Sequence, residues 1–197
     1  MSTRGMIGIR AAGKLLGTYN HFDSYPEGLG AEMVQFAHAY LNGPEEVALF
    51  KAKVLKLKVV RSDAAPSKDA LKFYNKQGLT SELGDARRGA SYYGLLRSFQ
   101  GVAGLKAILH GEARHWIDNK RFIQDSLFCE YAYIFNLDEG KLEFYKGFQK
   151  TGKKSKNKKF GYESDVYGPC KKVGAISFTA VTVEGMNALY VEEPKDE

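Results

Sequence analysis

Residues 128–146 spell out a β-hairpin, and no other stretch limits the possible folds as much. Residues 128–136 are dense in aromatic and β-favouring side chains, and Asp138-Glu139-Gly140 supplies a turn. Residues 141–145 then set Leu142 and Phe144 against Glu143 in strict alternation, the pattern of a half-buried strand. A second signal of this kind opens the sequence. Residues 4–9 alternate glycine with larger side chains, and Ala11-Ala12-Gly13-Lys14 turns the chain into Leu15-Leu16-Gly17-Thr18-Tyr19. Gly5, Gly8 and Gly17 mark places where another backbone or a ligand comes close.

Between the hairpins the spacing becomes helical. Met33, Phe36, Ala37, Tyr40 and Leu41 share one helical face, and Pro44-Glu45-Glu46 starts a second helix with acids at its positive end. Val47, Phe50, Val54 and Leu57 point inward from that helix, although residues 51–60 also read as a strand. Residues 68–76 form a short helix. Residues 92–109 are helical, broken at Gly94, Gly101 and Gly104. Residues 172–178 add a strand, and residues 181–189 a short helix or strand. Hairpins near 4–19 and 128–146 around a helical middle predict an α+β fold, with a mainly antiparallel sheet packed on helices from the central segment. Neither an internal repeat nor a linker divides residues 1–197, so a single domain is expected.

Composition narrows the function classes. At 44% hydrophobic residues the 197-residue chain is too apolar for disorder, and no apolar run approaches a membrane span. Residues 1–5 carry no apolar signal region, and two cysteines, Cys129 and Cys170, make no disulfide framework. A cytoplasmic protein with buried free thiols, no cofactor and no membrane partner is expected. The net charge of +6 is concentrated in one place. Residues 150–159 hold Lys150, Lys153, Lys154, Lys156, Lys158 and Lys159 and no acid; without them basic and acidic residues balance at 23 each. With no apolar anchor, this stretch predicts a mobile basic loop, suited to phosphates of a nucleic acid or to a host protein. Residues 191–197 form a short acidic tail.

Residues 19–30, Tyr-Asn-His-Phe-Asp-Ser-Tyr-Pro-Glu-Gly-Leu-Gly, gather an imidazole, two carboxylates, a hydroxyl, an amide and two phenols at a strand-to-helix junction. His21 and Asp23 share a face if the strand continues, which places a carboxylate to orient an imidazole acting as base or donor. Ser24, Tyr19 or water is the group acted upon. Arg4, Tyr19, Asn20, Gly28 and Gly30 complete a ligand site, in which Arg4 and the N–H groups after Gly28 hold an anion. A purely structural loop, capped by Asp23 or Ser24 and shaped by Pro26, accounts for the same residues.

Thr3-Arg4-Gly5, followed by this loop, resembles a widespread family of small proteins of bacteria, fungi and viruses, phages included. Its members open with a Thr-Arg-Gly strand and an Asp-Ser-Tyr-Pro-x-Gly-Leu-Gly loop. The resemblance covers about the first thirty residues and, more loosely, Cys129-Glu130-Tyr131-Ala132-Tyr133. It implies no particular activity, but it brings in a viral role beside host machinery. A weaker architectural similarity links the opening hairpin to N-terminal-nucleophile hydrolases, which implies Ser2 or Thr3 as nucleophile.

Other chemistry-bearing residues read as structural. His110 and His115 stand five apart, wrong for two ligands on one helical face, so they fall at a helix end with Trp116 a core or groove aromatic. His38 lies beside the apolar stripe of the first helix, and Arg87-Arg88 is a surface turn or a phosphate contact. Three functions follow as expectations. The first is a binding protein, hydrolase or transferase for a small anionic ligand on loop 19–30. The second is an interaction protein using the lysine stretch, and the third is an assembly subunit.

Overall fold

The computed structural model describes residues 3–80, 90–156 and 163–191. Strands β1 (Gly5–Ala11) and β2 (Lys14–Asn20) form the opening hairpin, paired from Gly5↔Asn20 to Ala11↔Lys14. Ala12 and Gly13 both take positive φ, the conformation that a two-residue hairpin turn requires. The second hairpin joins β5 (Tyr131–Asn136) to β6 (Lys141–Lys146). A five-stranded sheet in the order β2-β1-β5-β6-β9 is closed by β9 (Lys171–Ser177). Every pair is antiparallel except one, in which β1 runs parallel to β5. The α+β architecture follows the alternation read in the two hairpins.

Strand periodicity divides the burial. Ile7, Ile9, Tyr133, Phe135, Leu142 and Phe144 face the main core. Helices α1 (Ala31–Tyr40), α2 (Pro44–Val54), α5 (Val102–His110) and α6 (Val183–Ala188) supply the opposing side chains, among them Phe36, Phe50, Leu105 and Met186. The alternate residues Met6 and Ile134 turn to the other face, with Cys129 and Cys170, under Phe122 and Ile123 of a 3-10 turn. Both cysteines are free and buried. Of residues 51–60, only β3 (Lys58–Val60) is a strand, because α2 continues to Val54.

A smaller cluster forms beside the sheet. Helix α3 (Lys68–Asn75) and the short α4 (Tyr92–Leu95) bury Ala70, Tyr74, Tyr92 and Leu95 against residues of β3 and its parallel partner β4 (His115–Ile117). His115 therefore lies in a strand and not at a helix end, while His110 does end α5. Residues 118–119 tie this cluster to the sheet along β2. The Asn119 N–H donates to the Gly17 carbonyl at 2.5 Å, and the Gly17 N–H donates to Asp118 Oδ1 at 3.1 Å. A Cβ at Gly17 would stand 2.8 Å from Lys120 Cα, so glycine is what permits this close approach. Among the described residues, no helix is long and apolar enough to cross a membrane.

Candidate functional site

Loop 19–30 folds back on itself. A tight turn, Pro26–Gly30, precedes α1, and its N–H groups are already taken. Gly28 and Gly30 donate to the Tyr25 carbonyl at 3.1 and 3.3 Å, and Leu29 donates to the Asp23 carbonyl at 2.8 Å. The expected anion-holding N–H groups are thus spent on the turn itself. Ser24 is fully buried, and its hydroxyl receives the Asn20 Nδ2 amide at 2.9 Å. Its carbonyl accepts the Tyr133 hydroxyl at 2.9 Å, which pins the loop to the sheet. Asn20, only 7% exposed, also donates to the Phe22 carbonyl. Ser24 and Asn20 therefore hold the loop together.

The histidine–aspartate pairing also changes. Asp23 sits at a positive φ of 49°, which breaks the strand alternation that would have set it on the face of His21. The His21 Nδ1 partner is the Tyr19 hydroxyl at 2.6 Å. Arg4 lies over the Phe128 ring, 4.7 Å from its centre, and its N–H donates to Glu130 Oε1 at 3.1 Å. Burial pushes the Tyr19 phenol above its ordinary pKa, against the pull of the Arg4 charge, with Tyr93 adding to the rise. Of the expected set, the structure brings together the His21 imidazole and the Tyr19 hydroxyl. Ser2, the nucleophile implied by the weaker resemblance, lies outside the described residues.

From Lys150 to Lys156 the lysine stretch is a strand and not the expected mobile loop. β7 (Lys150–Lys156) pairs antiparallel with β8 (Glu163–Tyr167), with Lys154 opposite Asp165. Asp165 lies 2.7 Å from Lys150 Nζ and 2.5 Å from Lys154 Nζ, and those lysines hold its carboxyl down to about 2. Opposite charge across the ribbon supplies the anchor that an apolar residue would otherwise provide. Lys153 is exposed beside them. Lys156 ends the strand, whereas Lys158, Lys159, Arg87, Arg88 and residues 192–197 lie outside the described residues.

The described residues bring polar chemistry together next to the loop rather than on it. Between β2, β4 and the start of α5 lies a cavity of about 170 Å³. Tyr19, Tyr93, Phe99 and Trp116 give it aromatic walls, and His115, Asn119 and Ser62 add polar groups. Tyr19 is the residue of loop 19–30 that reaches it.

The state of His115 follows from its neighbours. The Tyr74 hydroxyl accepts the backbone N–H groups of Arg114 and His115, both at 3.0 Å. Its own proton is then free to point only at His115 Nδ1, 3.1 Å away. A hydroxyl has one proton to give, so Nδ1 is the acceptor and the imidazole carries its proton on Nε2. Burial lowers the His115 pKa, and the positive charges of Lys58 and Arg114 lower it further. The ring is a neutral N–H donor at neutral pH. Trp116 is 4% exposed, and its indole Nε1 is buried without a hydrogen-bond partner.

The sequence carries a partial signal for this site. Trp116 reads as a core or groove aromatic, but nothing in residues 110–116 reveals that Tyr74, 41 positions away, fixes the His115 tautomer. No group of three His, Cys, Asp or Glu side chains suited to a metal occurs among the described residues. Compared with protein-family models, curated proteins and solved structures, the chain finds no match.

Proposed function

We propose that this chain is a small-molecule binding protein whose site is the cavity between β2 and β4, with Tyr19 linking it to loop 19–30. The observation that carries this reading is the make-up of the cavity, in which the rings of Tyr19, Tyr93, Phe99 and Trp116 stand among the polar residues Ser62, Gln100, His115 and Asn119. Enclosure by aromatic side chains with a few fixed polar groups is the usual make-up of a ligand pocket. Screening small aromatic fragments by ligand-observed NMR tests the reading, with Ala113→Leu as control, because Ala113 lines the same cavity. Fragments bind the wild type, and the filled variant loses them while keeping its Tm within a few degrees. Absence of any binder, or binding that survives Ala113→Leu, overturns it.

A second reading, contact with a nucleic acid, rests on a different face. Phe128 and Phe148 are 42% and 52% exposed. Arg4 lies over the first ring, and β7 begins two residues after the second. Exposed aromatics beside cations suit single-stranded bases and phosphates. Replacing Lys150, Lys153 and Lys154 together by alanine then weakens binding of a fluorescent oligonucleotide about tenfold and flattens its salt dependence. Unchanged binding removes this reading.

A further inference from the structure

Cys129 and Cys170 belong to neither reading above, and the sheet brings them together although they stand 41 positions apart. Both are free, and both pack with Met6, Ala132 and Ile134 on the face turned away from the main core. Cys129 lies two residues before β5 and Cys170 one residue before β9, the two strands that flank β6. Lys146, where β6 ends, pairs with both Tyr131 and Lys171, so the cysteines meet at that end of the strand. The Cys170 thiol donates to the Cys129 carbonyl at 3.2 Å. The two sulfurs are also within hydrogen-bonding reach of each other.

We propose that this pair is an oxidation site: a small hydroperoxide converts it to a Cys129–Cys170 disulfide, with Cys170 attacking and Cys129 resolving.

Exposure and hydrogen bonding assign the two roles. Cys170 is 9% exposed and Cys129 fully buried, so an incoming peroxide meets Cys170. The Cys129 S–H lowers the Cys170 pKa, against the opposing effect of burial. The same bond, together with burial, raises the Cys129 thiol. With both thiols protonated, Cys129 has the Tyr131 carbonyl as acceptor at 3.5 Å; an ionised Cys170 offers a stronger one. The thiolate is the reactive form, which places Cys170 first.

The chemistry closes without a metal or a cofactor. The Cys170 thiolate attacks one peroxide oxygen, the O–O bond breaks, and the second oxygen leaves and takes a proton from water. Cys170 is then a sulfenic acid. The Cys129 sulfur attacks the Cys170 sulfur and displaces its hydroxyl, which departs as water with the Cys129 proton. Two thiols have lost two hydrogens, and the peroxide has been reduced to water and an alcohol, or to two waters.

The new bond encloses residues 130–169, and with them the whole β7–β8 ribbon. That ribbon joins the body at Ser126, whose carbonyl accepts the Phe148 N–H at 2.7 Å and whose N–H donates to the Gly168 carbonyl at 3.2 Å. Ser126 and Gly168 stand three and two residues from the cysteines, so the disulfide fastens the base of the ribbon.

Hydrogen peroxide added to the folded chain at neutral pH tests this. Mass spectrometry finds a loss of two hydrogens and one peptide linking Cys129 to Cys170, and dithiothreitol reverses both. In the oxidised protein the Ser126 and Phe148 amides exchange about tenfold more slowly. Cys129→Ala halts the reaction at a Cys170 sulfenic acid that dimedone traps, whereas Cys170→Ala takes up no dimedone. Dimedone present while wild type is oxidised labels Cys170 and not Cys129, which decides the roles even if a variant fails to fold. Thiols that survive peroxide, or that link only in urea or between chains, overturn the oxidation site. Dimedone on Cys129 overturns the roles, and unchanged amide exchange overturns the fastening of the ribbon.

Discussion

Glu143→Ala lowers stability by about 3 kcal/mol, read as a drop of about 10 °C in Tm at pH 7. Glu143 is 4% exposed on β6, and four side chains converge on its carboxylate. It accepts from Asn136 Nδ2 at 3.0 Å, from the Tyr145 hydroxyl at 2.8 Å and from Lys172 Nζ at 2.9 Å. Arg10 stands 3.7 Å away. These partners sit on β1, β5, β6 and β9, so one carboxylate ties four strands together. Alanine leaves the buried Asn136 amide without this acceptor. The two cations retain water, since their side chains are 31% and 43% exposed, and the loss is correspondingly smaller than for a sealed ion pair.

The same network sets an acid limb. Burial on its own would raise the Glu143 pKa, but the bonds from Lys172, Asn136 and Tyr145 outweigh it and leave the carboxyl below its ordinary 4.5. The folded state therefore binds this proton less readily than the unfolded chain. Its stabilisation is complete above about 4.5 and is lost as pH falls through the lower folded value. Asp138 acts in the same direction, held at about 2 by Lys51 and by the N–H groups of Gly13 and Ala12. Thermal unfolding of wild type and Glu143→Gln checks the sign: the gap in Tm between them narrows from pH 6 to pH 3. A constant gap would show that the carboxylate charge contributes nothing.

Tyr74→Phe produces a loss of similar size, about 3 kcal/mol, and also reaches His115 in the cavity wall. Tyr74 is fully buried, and its hydroxyl serves three groups at once. Phenylalanine preserves the ring contacts with Phe73, Phe99 and His115. It deprives the Arg114 and His115 N–H groups of their acceptor and His115 Nδ1 of its donor. Urea unfolding measures the first effect. Nitrogen NMR of the imidazole measures the second: the wild-type ring shows protonated Nε2 and bare Nδ1, and the variant shows a mixture of tautomers. Retention of a single tautomer in Tyr74→Phe would mean that another group sets the ring.

What the sequence discloses depends on how local the cause is. Both hairpins and the helices near 31–40, 44–54 and 68–75 follow from spacing within one element, and the structure has them. The break before α5 at Gly101 follows likewise. The parallel β3–β4 ribbon escapes because Lys58 and His115 are brought together only by tertiary packing. Lys150 and Lys154 read as a solvated loop because Asp165, which tethers both, lies beyond the lysine run. On loop 19–30 the polar density is real, but the positive φ at Asp23 breaks the two-residue periodicity that pairs it with His21. Ser24 and Asn20 have the residue types of a reactive site, and only burial distinguishes a hydroxyl that holds a loop from one that meets a substrate.

The parallel pairing of β1 with β5 has a consequence for how the molecule is made. The Arg4 N–H meets a carboxylate 126 positions downstream, and six of the seven residues of β1, Gly5 to Arg10, wait for a neighbour on β5. After Gly5, 126 further residues must leave the ribosome before the opening hairpin gains its second flank at Tyr131, and contacts this distant in sequence slow folding. Until then one edge of β1 has no strand beside it, and an unpaired edge of this kind is prone to aggregation.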